Sequence, residues 1–184
     1  MKNIDSIINK AINESISEIT AYHGTDHDFD SFDLNYIGTG SGYQSWGYGV
    51  YLSLSPEGVK YYGKKRYTVE IPSDKRKYLI ANKIYGKTFC DKLKNKIYRA
   101  IINKKTVDWD NWKGCEQELW QELQCIHDIE GASIAGTLEY FVGGEVEAAK
   151  FLRSLGYYGL KYTEGDIINV VMFDPSDVTI IKKE

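Results

Sequence analysis

Gly159-Leu160-Lys161-Tyr162, Ile168-Asn169-Val170-Val171-Met172-Phe173 and Val178-Thr179-Ile180-Ile181-Lys182 read as three short strands closing the chain. Asp174-Pro175-Ser176-Asp177 supplies the turn between the last two. These pieces decide the fold class because the sequence before them is helical. Glu145 to Leu155 sets Val146, Ala149, Leu152 and Leu155 on one face, and Gly156 suits the stop that follows. Gly131 to Phe141, Glu116 to Ile129 and the run from Ile84 to Ile102 keep helical spacing too. Further back the strand pattern returns, at Ile19 to Tyr22, Val50 to Leu54 and Tyr67 to Ile71, with Pro56 opening a short helical turn. Strands, then helices, then strands predict an α+β fold rather than alternating βαβ units. Ahead of all of them, Ile4, Ile8, Ile12 and Ile16 predict an N-terminal helix over 4–18.

At 184 residues the chain suits a single domain over 1–184, with a lysine-rich helical insertion at about 75–142. The composition, 42% hydrophobic and 27% charged with 15 Tyr and 4 Trp, is that of a folded soluble protein. No apolar run approaches the ~18 residues of a membrane span, and the N-terminal stretch lacks the apolar core of a signal peptide. Three cysteines, Cys90, Cys115 and Cys125, leave at least one unpaired, so a reducing cytoplasm is the expected setting.

The net charge of −3 conceals an uneven distribution. From Lys60 to Lys105 there are 15 Lys and Arg against three acids, while the rest of the chain carries 8 against 23. A basic segment 60–105 in an acidic chain points to a polyanionic partner. Lys92, Lys94, Lys96 and Arg99 are expected to project from a helix, with Lys75, Arg76 and Lys77 in the loop before it.

Three possible motifs are set aside. Gly38-Thr39-Gly40-Ser41-Gly42 follows no strand and opens no helix, so it does not read as a dinucleotide loop. Cys115, Cys125, His127 and Asp128 match no paired-hook zinc spacing, and no metal is expected. Glu145-Val146-Glu147 matches the Glu-x-Glu turn of arginine-directed transferases. The Arg that such enzymes need on an earlier strand is missing, because the first Arg is Arg66. Two acids in a helix's first turn explain Glu145 and Glu147 through the helix dipole.

A different set falls in order along the chain: Tyr22-His23-Gly24-Thr25, Phe32-Asp33, Gly38 to Gly42, Gly49-Val50-Tyr51-Leu52, Tyr67 to Pro72, Tyr158-Gly159-Leu160-Lys161-Tyr162 and Val170 to Pro175. Each alone has a plain explanation as a turn, core strand or hydrogen-bonded side chain. Together they resemble ADP-ribosyltransferases of the His-Tyr-Glu type, the clade of diphtheria toxin and the poly-ADP-ribose polymerases. Within that clade they look most like the small bacterial and phage polyvalent-protein ADP-ribosyltransferases. The resemblance spans about residues 19–182 and is weakest across the lysine-rich helices.

The resemblance implies two small packed antiparallel sheets that form a cleft for NAD+ as substrate. It implies that His23 hydrogen-bonds the adenosine ribose with support from Thr25, and that the Gly24 backbone reads the nicotinamide carboxamide. Gly49 enters the strand bearing Tyr51, and Tyr51 and Tyr62 (or its neighbour Tyr61) wall the nicotinamide ring. The third position departs from the pattern, because Asn169 stands where the family name expects Glu. An amide can orient a ribose but takes no proton at neutral pH. A base would then come from Glu164 or Asp166 on the adjoining loop, or from the target. Asn169 argues against building long ADP-ribose chains, so the expected activity is mono-ADP-ribosyl transfer by an effector or toxin. The expected acceptor is RNA or DNA ahead of protein, recognised through segment 60–105. An antitoxin or other acidic protein is a further candidate partner. The alternative is a non-catalytic module of the same fold that binds NAD+ or nucleic acid.

Overall fold

The computed structural model describes residues 18–37, 45–103 and 112–184. The helix expected at 4–18 and the Gly38–Gly42 run lie, but for Glu18, outside the described residues. The strands are β1 (Glu18–Thr25), β2 (Val50–Ser53), β3 (Lys65–Pro72), β4 (Tyr78–Ile80), β5 (Ile84–Tyr85), β6 (Ile129–Glu130), β7 (Gly159–Glu164), β8 (Ile167–Met172) and β9 (Thr179–Lys183). The helices are α1 (Lys87–Ile102), α2 (Glu116–Glu122), α3 (Gly131–Val142) and α4 (Glu145–Ser154), with short 3-10 turns such as Pro56–Val59 between strands.

The class is α+β. Seven strands form one mixed sheet in the order β4-β7-β8-β2-β1-β3-β9, and β5 pairs with β6 apart from it. This corrects the expectation of two separate antiparallel sheets. The join is narrow: β1 meets β2 at the single pair Tyr22↔Ser53, whereas β1 pairs with β3 over all eight of its residues. Beyond Tyr22 the two strands make no further pair.

The segment read as a helical insertion also supplies β4, which lies parallel to β7 through Tyr78↔Gly159 and Ile80↔Lys161. Parallel neighbours need a long crossover. The chain from Ala81 to Tyr158 provides it, and the four α-helices among the described residues lie within it. Two helical runs are shorter than their periodicity predicts. Ile84 and Tyr85 leave the first helix to form β5, and Ile129 leaves the second to form β6. The first N–H groups of α3 explain the detour, since Gly131 N and Ala132 N donate to the Lys83 and Ala81 carbonyls at 2.9 Å. A residue with a side chain fails there, because a Cβ on Gly131 would sit 2.0 Å from the Ile80 carbonyl oxygen.

The core has two compartments, and β8 belongs to both. Val170 and Met172 pack with Ala21, Leu52, Val69 and Ile71, while Val171 and Phe173 pack with helix residues such as Ile97, Leu138 and Leu152. That alternation is the two-residue period of a strand buried on both faces. At the edge, β9 is largely exposed and carries Lys182 and Lys183, which discourages pairing with another chain. No helix among the described residues is long and apolar enough to cross a membrane.

Candidate functional site

Three distant segments converge where β1, β2 and β8 adjoin. The His23 Nδ1 lies 2.9 Å from the Tyr51 carbonyl oxygen. A carbonyl only accepts, so Nδ1 carries the proton and, in the neutral ring, Nε2 is left as a free acceptor. Burial lowers the His23 pKa, against the opposing pull of that hydrogen bond, and favours the neutral form. Phe32 and Phe29 hold the ring edge-on at 5.1 and 6.1 Å between centroids. The buried Tyr67 anchors their loop: its hydroxyl donates to Asp28 at 2.9 Å and accepts the Phe29 N–H at 3.0 Å. The Phe32-Asp33 motif thus acts through packing on the imidazole.

Tyr51 is fixed by its hydroxyl, which donates to the Gly47 carbonyl at 2.9 Å and accepts the Trp46 N–H at 3.0 Å. Burial pushes its pKa up to about 12, so the phenol stays protonated at any physiological pH. Trp46 stacks on Tyr162 at 4.7 Å, and Tyr51 meets Tyr162 at 6.5 Å. Burial raises the Tyr162 pKa, and Glu164, Tyr51 and Tyr62 lie near enough to raise it further. Tyr62 is half-exposed beside Gly24, and its neighbour Tyr61 is 84% exposed.

Asn169 is buried on β8, opposite Ser53 on β2 and Tyr162 on β7. Its Nδ2 donates to Glu164 Oε2 at 3.2 Å. His23, Tyr51 and Asn169, separated by up to 146 positions in the chain, therefore stand on three adjoining strands.

The other expected site residues have structural duties. A Cβ on Gly24 would lie 2.5 Å from the Val59 carbonyl oxygen and 3.1 Å from Tyr62 Cβ, so this glycine lets the Pro56–Tyr62 segment cross β1. A Cβ on Gly49 would lie 2.3 Å from the Met172 carbonyl oxygen, which makes Gly49 a packing residue between β2 and β8. The Thr25 hydroxyl accepts the His27 N–H at 3.1 Å and is committed to a turn. Asp166 lies in the β7–β8 turn, while Glu164 is the acid that reaches Asn169. Trp46 lies beside this cluster although it did not stand out in sequence, and Tyr162, part of a quoted motif, had no role assigned to it. The five-residue step from Trp46 to Tyr51 is the one local signal, and the stacking partner comes from β7.

The basic segment is partly neutralised. Lys92, Lys96 and Arg99 are exposed on α1, as expected. Lys94 is instead buried, paired with Asp91 at 3.0 Å and hydrogen-bonded to Gln124 at 3.3 Å. Lys65 pairs with Asp28, Arg66 with Glu184, Arg76 with Asp74 and Lys87 with Asp91. Among the described residues no group of three His, Cys, Asp or Glu side chains could hold a metal ion. Cys90, Cys115 and Cys125 are all free thiols. Two concavities lie away from the His23–Tyr51–Asn169 cluster. One of about 450 Å³ is lined by Gln121, Cys125 and Phe141, and one of about 130 Å³ by Tyr48, Arg153 and Phe173.

No family model and no curated protein matches the chain. Among solved structures, the crystal structure of an anti-CRISPR protein is similar at 14% sequence identity and a TM-score of 0.40, over 91% of this chain and 98% of that one.

Proposed function

We propose that the chain is a mono-ADP-ribosyltransferase effector that moves ADP-ribose from NAD+ to a macromolecule, nucleic acid ahead of protein. One observation carries the reading: the His23 imidazole on the Tyr51 carbonyl, with Asn169 two strands away on β8. These are the three positions that the motif resemblance singled out, and they stand on the neighbouring strands β1, β2 and β8.

The side chains fit the substrate. The free Nε2 of a neutral His23 accepts a hydrogen bond from a ribose hydroxyl. Gly24 stands beyond the last β1–β2 pair, where its backbone is not spent on a ladder with β2 and is available to a carboxamide. Tyr51, Tyr62, Trp46 and Tyr162 offer flat walls to a planar leaving group. In the reaction the C1′–N bond of the nicotinamide riboside breaks. Its electron pair leaves with nicotinamide, and an acceptor nucleophile forms the new bond at C1′. Fixed dipoles around the cationic ribose lower the barrier, because they need no reorganisation as charge develops.

Exposed Lys92, Lys96 and Arg99 favour a phosphate-bearing acceptor, since lysine and arginine neutralise a phosphate backbone irrespective of sequence. The amide at Asn169 favours a second reading, a non-catalytic module that binds NAD+ or nucleic acid. NAD+ labelled on the adenylate half separates the two, offered with RNA, single-stranded DNA or cell protein and with His23→Ala and Tyr51→Ala alongside. Label on one pool that both variants lose supports the transferase. No label and no nicotinamide released leaves the binding module.

A further inference from the structure

We infer that Glu164 is the proton acceptor for the incoming nucleophile and that Asn169 is its positioning residue; this rests on the ADP-ribosyl-transfer reading of the same site. A carboxylate oxygen only accepts, so the 3.2 Å contact between Asn169 Nδ2 and Glu164 Oε2 fixes the amide with its nitrogen toward the acid. The amide oxygen Oδ1 then remains for a ribose hydroxyl, and the second carboxylate oxygen remains for a proton. The amide is anchored: Asn169 is 5% exposed and clamped between Ser53 and Tyr162 by strand pairing on both sides. Glu164, at the end of β7, is exposed and open to an arriving macromolecule.

Two residues thereby divide the work of one glutamate. Asn169 holds the ribose and Glu164 takes the proton. The step balances. The nucleophile X–H gives its proton to Glu164 while X bonds to C1′. The C1′–N bond breaks, and its electron pair neutralises the pyridinium as nicotinamide departs. The sheet register accounts for the pair, since Tyr162↔Asn169 and Glu164↔Ile167 put Glu164 and Asn169 on one face of the hairpin as diagonal neighbours. The other titratable groups around this corner are Tyr162 on β7, Tyr51 on β2, Tyr62 after the Pro56–Val59 turn and Asp166 in the hairpin turn.

An anionic nucleophile that carries no proton tests the assignment. Wild type, Glu164→Gln, Glu164→Ala and Asp166→Asn are each incubated with NAD+, with and without sodium azide, and nicotinamide release, ADP-ribosyl azide and NAD+ affinity are measured. For both Glu164 variants the expected result is NAD+ affinity within about threefold of wild type and release in water at least ~100-fold slower. Azide restores release and yields ADP-ribosyl azide. Asp166→Asn matches wild type. Wild-type release in Glu164→Gln overturns the inference and leaves the transferase standing. So does a loss that azide does not restore, or a loss that falls on Asp166→Asn. A wild-type protein that neither binds NAD+ nor releases nicotinamide overturns the transferase, and the role of Glu164 with it.

Discussion

The Nδ1 of His23 donates to the carbonyl oxygen of Tyr51 at 2.9 Å, a side-chain bond across 28 residues that ties β1 to β2 where their ladder has only one pair. The bond holds the sheet together at its narrowest join and fixes the tautomer of the imidazole. It places an acceptor nitrogen and the Tyr51 phenol on either side of one backbone carbonyl.

The pH dependence of stability follows from the burial of this ring. Burial lowers the His23 pKa below its ordinary 6.5, so the folded state binds the proton less readily than the unfolded chain. The stabilisation is complete above pH 6.5 and is lost as the pH falls toward the folded value. Thermal unfolding of wild type between pH 7.5 and 5.5 is expected to show a decline in Tm that His23→Gln reduces. Parallel profiles for the two proteins would contradict a buried neutral imidazole.

Tyr51 separates ring from hydroxyl. In Tyr51→Phe the ring remains but the bonds to Trp46 N and Gly47 O go, at a cost of about 1–2 kcal/mol. Tyr51→Ala removes the ring too and costs about 3–5 kcal/mol if packed as a core aromatic is. Under the proposed reaction the Phe variant keeps most nicotinamide release and the Ala variant loses it. Equal loss in both would assign the work to the hydroxyl. Chemical denaturation and the release assay on the same preparations decide between them.

Glycine substitutions test the packing account. Gly49→Ala drives a methyl to 2.3 Å from the Met172 carbonyl and is expected to destabilise by about 1–3 kcal/mol. Gly136→Ala meets nothing within 4 Å on an exposed turn of α3 and is expected to stabilise by about 0.5–1 kcal/mol. Urea midpoints measure both, and the opposite signs are the content of the prediction.

Charge on α1 predicts salt-sensitive binding. Replacing Lys92, Lys96 and Arg99 together by Glu is expected to weaken RNA or single-stranded DNA binding and flatten its dependence on salt between 50 and 200 mM. Lys94→Ala is expected to act differently. It removes a buried partner of Asp91 and Gln124, so it lowers Tm with little change in salt slope. Titrations by fluorescence anisotropy at several salt concentrations check both.

Local periodicity by itself determined the α+β class, the strands β1, β2, β3, β7, β8 and β9, and the ends marked by Pro72, Gly156 and the Asp174–Asp177 turn. Each of these depends on residues within a few positions of one another. His23, Tyr51 and Asn169 stood out only through the resemblance of the motifs around them, not through periodicity. Periodicity overran at Ile84-Tyr85 and Ile129, where an apolar helical period is compatible with a strand and the β5–β6 pairing decides the matter. Only the tertiary structure decided that β4 leaves the helical segment to lie beside β7, that the strands share one mixed sheet, and that Lys94, on the buried face of α1 with Leu93 and Ile97, finds Asp91 and Gln124 as partners. It alone stacked Trp46 on Tyr162 and set Glu164 against Asn169. Strand pairing and burial join residues whose separation in sequence carries no period, so these partners are set by the packed whole.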